Sequence, residues 1–323
     1  MSVTMRLGPT KALAVAGVLA STGSAVVGAR TLLTGQVEQA RSIIPRAWDT
    51  PPRADGVYGP GGGPARRWER GVPTDLHLVV FGDSTATGYG CGHADEVPGV
   101  LLARGLAEQS GKLIRLSTKA IVGATSRGLA SQVDAMLVAG PPPDAALIMI
   151  GANDVTALNG IGPSARRLGA AVRRLRRGGT VVVVGTCPDL GVITAIPQPL
   201  RWTARSLGLR LARAQAGAVH AAGGVPVPLA DLLAPHFETE PELLFADDRY
   251  HPSATGYALA AAQLLPALHH ALGEAPHHAL GEEGPASSPM EKSTGVAARL
   301  APLGRLLHRR SSGVAAPAAA SAG

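Results

Sequence analysis

At 323 residues the chain has room for one large domain or two small ones, and a formal charge of +7 with a pI of about 10.0 raises the question of an acidic partner. Aromatic residues make up only 3% of it, which argues against a nucleic-acid binder built on base stacking; no nucleic-acid partner is expected. Two cysteines exclude a disulfide scaffold and leave either one bridge between Cys91 and Cys187 or two free thiols.

Residues 1–30 carry Arg6 and Lys11 ahead of an uncharged apolar run, 12–29, close to the lower limit of roughly 18 residues for a membrane span. This segment is expected to be a signal peptide or a membrane anchor, and Val27-Gly28-Ala29 offers small residues for cleavage. The expected location is therefore at a membrane through this segment, or exported to the cell envelope or beyond it. Residues 31–73 follow, rich in Pro, Gly and Arg from 45 onward, and read as a linker that sustains no periodic element.

Between 74 and 272 apolar runs alternate with amphipathic ones. Strands are predicted at 76–81, 113–117, 145–150, 180–185 and 225–227, and helices at 98–109, 126–138, 163–177, 200–222 and 254–268. Continuous apolar strands separated by helices indicate an α/β domain with a five-stranded parallel sheet covered on both faces. The basic run Arg173-Arg174-Leu175-Arg176-Arg177 closes one of these helices, where cations complement the helix dipole; it reads as a solvated helix end or as a point of attraction to an acidic membrane surface. Cys91 and Cys187 are both expected on the carboxyl rim of the sheet, where a bridge is geometrically conceivable. Residues 273–323 form a low-complexity tail with no core of its own. His269, His270, His277 and His278 have no metal-ligand spacing, so no metal site is assigned to them.

Ligands of a parallel α/β sheet sit outside the carboxyl ends of its strands. Four short sequences fall there: Gly82-Asp83-Ser84-Thr85, Gly123-Ala124-Thr125-Ser126, Gly151-Ala152-Asn153-Asp154, and Asp248-Arg249-Tyr250-His251 before the last helix. Each alone is compatible with a turn or a helix cap. Together they supply a hydroxyl, an imidazole, carboxylates and amide donors. A serine hydroxyl needs a base to become nucleophilic, and His251 is the candidate. Asp248, three residues earlier, is placed to hold the imidazole tautomer, with Asp247 next to it as a substitute. The N–H groups of Ser84 and Gly123 and the amide of Asn153 are candidate donors to an oxyanion. Asp83 and Asp154 are expected to organise loops. The elbow G-x-S-x-G, the dinucleotide motif G-x-G-x-x-G and a P-loop are all absent, and no cofactor is expected.

The four blocks resemble those of the SGNH, or GDSL, hydrolase superfamily, whose letters name a Ser, a Gly, an Asn and a His, over about 76–268. The resemblance implies a three-layer α/β/α flavodoxin-like fold and hydrolysis of esters, thioesters or acylated sugars. It matches Ser84 to the nucleophile, Gly123 and Asn153 to the oxyanion donors, and Asp248 with His251 to the acid and base. The expected activity is cleavage of lipid, short-chain acyl or acylated-sugar esters through a Ser-His-Asp acyl-enzyme. The alternatives are an envelope acyltransferase using the same site, or a non-catalytic envelope protein that uses the fold as an interaction surface.

Overall fold

Strand β2, Leu76–Gly82, alternates two sets of apolar side chains, and the fold uses both. Leu78 and Val80 enter one buried cluster while Val79 and Phe81 enter the other, so the strand is covered on both faces. The computed structural model describes residues 51–274 together with Gly35. The apolar run 12–29, the rest of the segment up to residue 50, and the tail from 275, with His277 and His278, lie outside the described residues. The signal-or-anchor reading therefore lies outside them too. Among the described residues no helix is long and apolar enough to cross a membrane.

The sheet has six strands in the order β1-β3-β2-β4-β5-β6. Strands β2, β3 (Ile114–Thr118), β4 (Ala145–Met149), β5 (Val181–Gly185) and β6 (Val225–Val227) pair in parallel and match the five predicted runs. The expected strand count is corrected by β1, Gly56–Tyr58, which pairs antiparallel with β3 in the stretch read as linker. Its three residues carry no alternation long enough to announce a strand. What holds them is tertiary: Tyr58 is buried, its hydroxyl donates to the Ala54 carbonyl at 2.5 Å, and the Arg104 guanidinium lies over its ring.

Helices α1 (Ser84–Thr87), α2 (Pro98–Ser110), α3 (Leu129–Ala139), α4 (Ala152–Thr156) and α5 (Ile161–Arg177) occupy the three crossings from β2 to β5. Helices α6 (Leu200–Ala221), α7 (Leu229–Thr239), α8 (Pro241–Leu244) and α9 (Ala254–Glu274) complete the chain. One face of the sheet packs Leu102 and Leu106 of α2 and Tyr257, Leu264 and Leu268 of α9. The other packs Leu129 and Val133 of α3, Leu168, Val172 and Leu175 of α5, and Val219 of α6. Each such large side chain, once fully buried, contributes about 1.5–3 kcal/mol. The three layers are those of an α/β/α sandwich.

After β2 the chain moves outward to β3 and then crosses back to β4 on the far side of β2. That reversal makes a crevice at the carboxyl ends of β2 and its neighbours. Gly82 permits it to close tightly: its φ of 135° suits glycine, and a Cβ there would collide with the Met149 carbonyl.

Candidate active site

Ser84 is the first residue of α1, immediately beyond β2. Asp83 caps that short helix: its carboxylate accepts from the Thr85 N–H at 3.0 Å and the Thr85 hydroxyl at 2.8 Å. Burial pushes the Asp83 carboxyl up to about 6, against the opposing pull of those Thr85 hydrogen bonds. The backbone just before it is held by Gln132, which accepts from the Gly82 N–H and donates to the Gly82 carbonyl, both at 2.8 Å. Ser84 thus leaves the strand from an anchored turn.

His251 arrives from the other end of the chain. Its Nε2 lies 2.9 Å from Ser84 Oγ, and its Nδ1 lies 2.6 Å from Asp248 Oδ2. The other Asp248 oxygen accepts from the backbone N–H groups of Tyr250 and His251, each at 2.9 Å. Arg249 sits between with φ 53°, a left-handed conformation that costs a non-glycine residue of order 1–2 kcal/mol and that folds the segment back on itself. Burial alone would raise the Asp248 carboxyl; the hydrogen bonds from the His251 ring, the His251 N–H and the Tyr250 N–H outweigh it and leave the group below its ordinary range. Of the two candidate carboxylates, Asp248 is the one on the imidazole, while Asp247 is exposed.

The imidazole is held by packing as well as by hydrogen bonds. The Tyr89 ring lies 4.5 Å from it by centroids and the Tyr250 ring 4.9 Å, the second nearly edge-on. Tyr89 is itself tied to the last helix, because Tyr257 donates to its carbonyl at 2.8 Å. Neither tyrosine is marked by the sequence pattern; nothing about the spacing of Tyr89 or Tyr250 separates a ring beside the imidazole from an ordinary core aromatic.

Gly123 and Asn153 stand on the neighbouring loops. Asn153, in the first turn of α4, donates one amide N–H to the Ala124 carbonyl at 3.0 Å, which fixes the loops after β3 and β4 to each other and leaves its second amide hydrogen available. Gly123 has φ 78°, lies exposed, and its N–H meets no acceptor among the described residues. The Ser84 N–H, at the first turn of α1, has no intrahelical acceptor either.

Asp154 is a buried hub of these loops. It accepts from the Ser126 N–H and hydroxyl at 2.8 and 2.7 Å, from Ser164 at 2.9 Å and from Asn159 at 3.1 Å. A second buried glutamine, Gln215 on α6, accepts from the Cys187 N–H at 2.7 Å and donates to the Ile150 carbonyl at 2.8 Å. Gln132 and Gln215 escaped the sequence reading, although each is a polar residue on the apolar face of a helix. Cys91 and Cys187 are free thiols, with Cys91 Sγ donating to the Glu96 carbonyl and Cys187 Sγ to that of Pro188. No group of three metal-ligating side chains occurs among the described residues, which include His269 and His270.

The GDSL-like lipase/acylhydrolase family model matches residues 80–259, the span from β2 into α9 that carries Ser84, Gly123, Asn153, Asp248 and His251. A GDSL-like esterase of Mycobacterium tuberculosis is 72% identical over 265 residues, covering 82% of this chain and 84% of the relative. Two solved structures align at lower similarity: an acetylxylan esterase from Geobacillus stearothermophilus, 22% identical over 61% of this chain and 95% of its own with a TM-score of 0.47, and a lipase/acylhydrolase from Enterococcus faecalis, 20% identical over 59% and 94% with a TM-score of 0.47. On the family match and the 72% identical relative, the chain belongs to the GDSL-like lipase/acylhydrolase family and is a carboxylic-ester hydrolase.

Proposed function

We propose that this hydrolase works through an acyl-enzyme on Ser84, with His251 as general base and acid and Asp248 as the group that orients and stabilises the imidazole. The observation that carries the reading is the unbroken line Ser84 Oγ, His251 Nε2, His251 Nδ1, Asp248 Oδ2, with spacings of 2.9 and 2.6 Å across its two contacts. Ser84 Oγ attacks the ester carbonyl carbon as its proton passes to His251 Nε2. The carbonyl oxygen becomes an oxyanion met by the N–H groups of Ser84 and Gly123 and the free amide hydrogen of Asn153. Collapse breaks the bond to the alcohol, which leaves with the proton from His251. Water then repeats the sequence, releasing the acid and restoring Ser84. The Asp248 carboxylate, held in its charged form, favours the imidazolium that forms in each half-reaction.

The substrates we assign are carboxylic esters of lipid, short-chain acyl or acylated-sugar type. The 72% identical relative is named an esterase, which supports this class. Replacing Ser84 by Ala is expected to lower kcat on short p-nitrophenyl esters by about 10⁴-fold or more with the fold retained. Turnover unchanged in a folded Ser84→Ala protein would reject the mechanism.

A further inference from the structure

Three large apolar side chains stand out into solvent beyond successive strands at one edge of the molecule: Ile121 at 59% exposure, Leu158 at 77% and Trp202 at 68%. Ile121 follows β3, Leu158 follows β4 and α4, and Trp202 opens α6 after β5, so all three belong to the carboxyl edge of the sheet, where Ser84 lies. Ile121 is bound directly beside the site, its N–H donating to the Gly82 carbonyl at 3.1 Å. Leu158 is held with φ 51°, a conformation unfavourable for a branched side chain, yet its side chain has almost no packing to offset it. Gln215 marks the level of the strand ends through Ile150 and Cys187, so about four turns of α6 precede that level and carry Trp202 at their tip.

Arginines stand on the same region. Of the six arginines of α5, Arg166 and Arg167 lie in its first two turns, at the carboxyl edge, while Arg173, Arg174, Arg176 and Arg177 lie toward the opposite end of the sheet, where Arg176 donates to the Thr180 carbonyl; α6 holds four, with Arg201 in its first turn, and neither helix holds an acidic residue. Arg174 pairs with Asp134, and Arg205 with Asp189 and Glu238. Arg166, Arg173, Arg201, Arg210 and Arg213 form no ion pair among the described residues. Exposed acids Glu238, Glu240, Glu242 and Asp247 collect instead on the side that follows β6.

We propose that the edge bearing Ile121, Leu158 and Trp202, with Arg127, Arg166 and Arg201 around them, docks on an anionic lipid bilayer and turns the mouth of the active site toward it. Exposed apolar side chains, a tryptophan among them, gain by entering the headgroup layer, and the cations beside them gain from the negative surface. A nucleic acid would reward the arginines but leave the three apolar side chains without a partner. The docking is independent of which ester the site takes, and it adds a contact made by the folded domain to any made by the segment before residue 51.

The test uses the full chain, with vesicles of phosphatidylcholine alone or mixed with phosphatidylglycerol, read by co-sedimentation. The N-terminal segment is common to parent and variants, so it cancels in their comparison. The double variant Trp202→Ser, Leu158→Asn is expected to lose about tenfold or more of its partitioning onto the anionic vesicles at an unchanged Tm, asparagine being suited to the left-handed backbone at 158. Arg201→Gln with Arg166→Gln should lose about fivefold per arginine on anionic vesicles and nothing on neutral ones. Parental partitioning by the first variant overturns the proposal. So does salt-sensitive binding to duplex DNA by a parent that ignores the anionic vesicles.

Discussion

Gln132 and Gly82 exchange two hydrogen bonds, side-chain amide to backbone N–H and carbonyl, each 2.8 Å long and fully buried. The pair fixes the last residue of β2, two positions before Ser84. Replacing Gln132 by Met would fill the space but leave the Gly82 N–H unpaired, while its carbonyl keeps the Ile121 N–H. The expected cost is about 1–3 kcal/mol of stability, from one unsatisfied buried donor. Because the turn that aims Ser84 loosens, kcat should fall at least about tenfold with little change in KM. Thermal denaturation and steady-state kinetics on one ester measure both, and an unaltered kcat in the destabilised variant would show that Gln132 supports the fold alone.

Asp248 to Asn keeps the size of the side chain and removes its charge. The amide still accepts from the backbone N–H groups of Tyr250 and His251, so the turn around Arg249 should persist. The imidazole then loses the partner that holds its tautomer and stabilises its cation. A drop in kcat of about 10³–10⁴-fold is expected with Tm changed little. A loss of less than tenfold would remove Asp248 from the mechanism.

Asp83 gives a prediction in pH. Its folded value, pushed up to about 6 by burial, lies above the ordinary carboxylate value of 3.8, so between about pH 4 and 6 the folded chain keeps a proton that the unfolded chain has released. Stability from this residue is therefore present at low pH and is lost as pH rises through that window. Asp83→Asn retains an acceptor for the Thr85 N–H and has no such loss. The Tm of the variant minus that of the parent should climb between about pH 4 and 6 and level off above it. A difference that is flat across the window would mean that Asp83 is ionised in the fold at an ordinary value.

The strands of the parallel sheet were legible because burial on both faces demands unbroken apolar runs such as 181–184, and turns follow them at once. The residues at their carboxyl ends were legible for a related reason: in this topology the strand ends converge, so Ser84, Gly123 and Asn153 had to be neighbours. His251 was the harder inference, since it reaches Ser84 from 167 positions away through a turn held by Asp248 and the strained Arg249. Strand β1 was hidden because its stability lies in pairing with β3 and in the burial of Tyr58, neither of which shows in a three-residue string. Helix α7 was passed over because Pro235 sits within it and interrupts the reading of Leu229, Leu233 and Phe237 as one apolar face. Gln132 and Gln215 were visible as polar residues among apolar ones, but which backbone they would clamp depended on helices packing across the sheet.

The most direct measurement is covalent. A fluorophosphonate probe reacts only with a serine whose proton has somewhere to go. Incubation of the full chain followed by mass mapping of the adduct should place the label on Ser84, and His251→Gln should suppress it at an unchanged Tm. An adduct on another serine, or labelling of Ser84 that survives the loss of His251, would contradict the account.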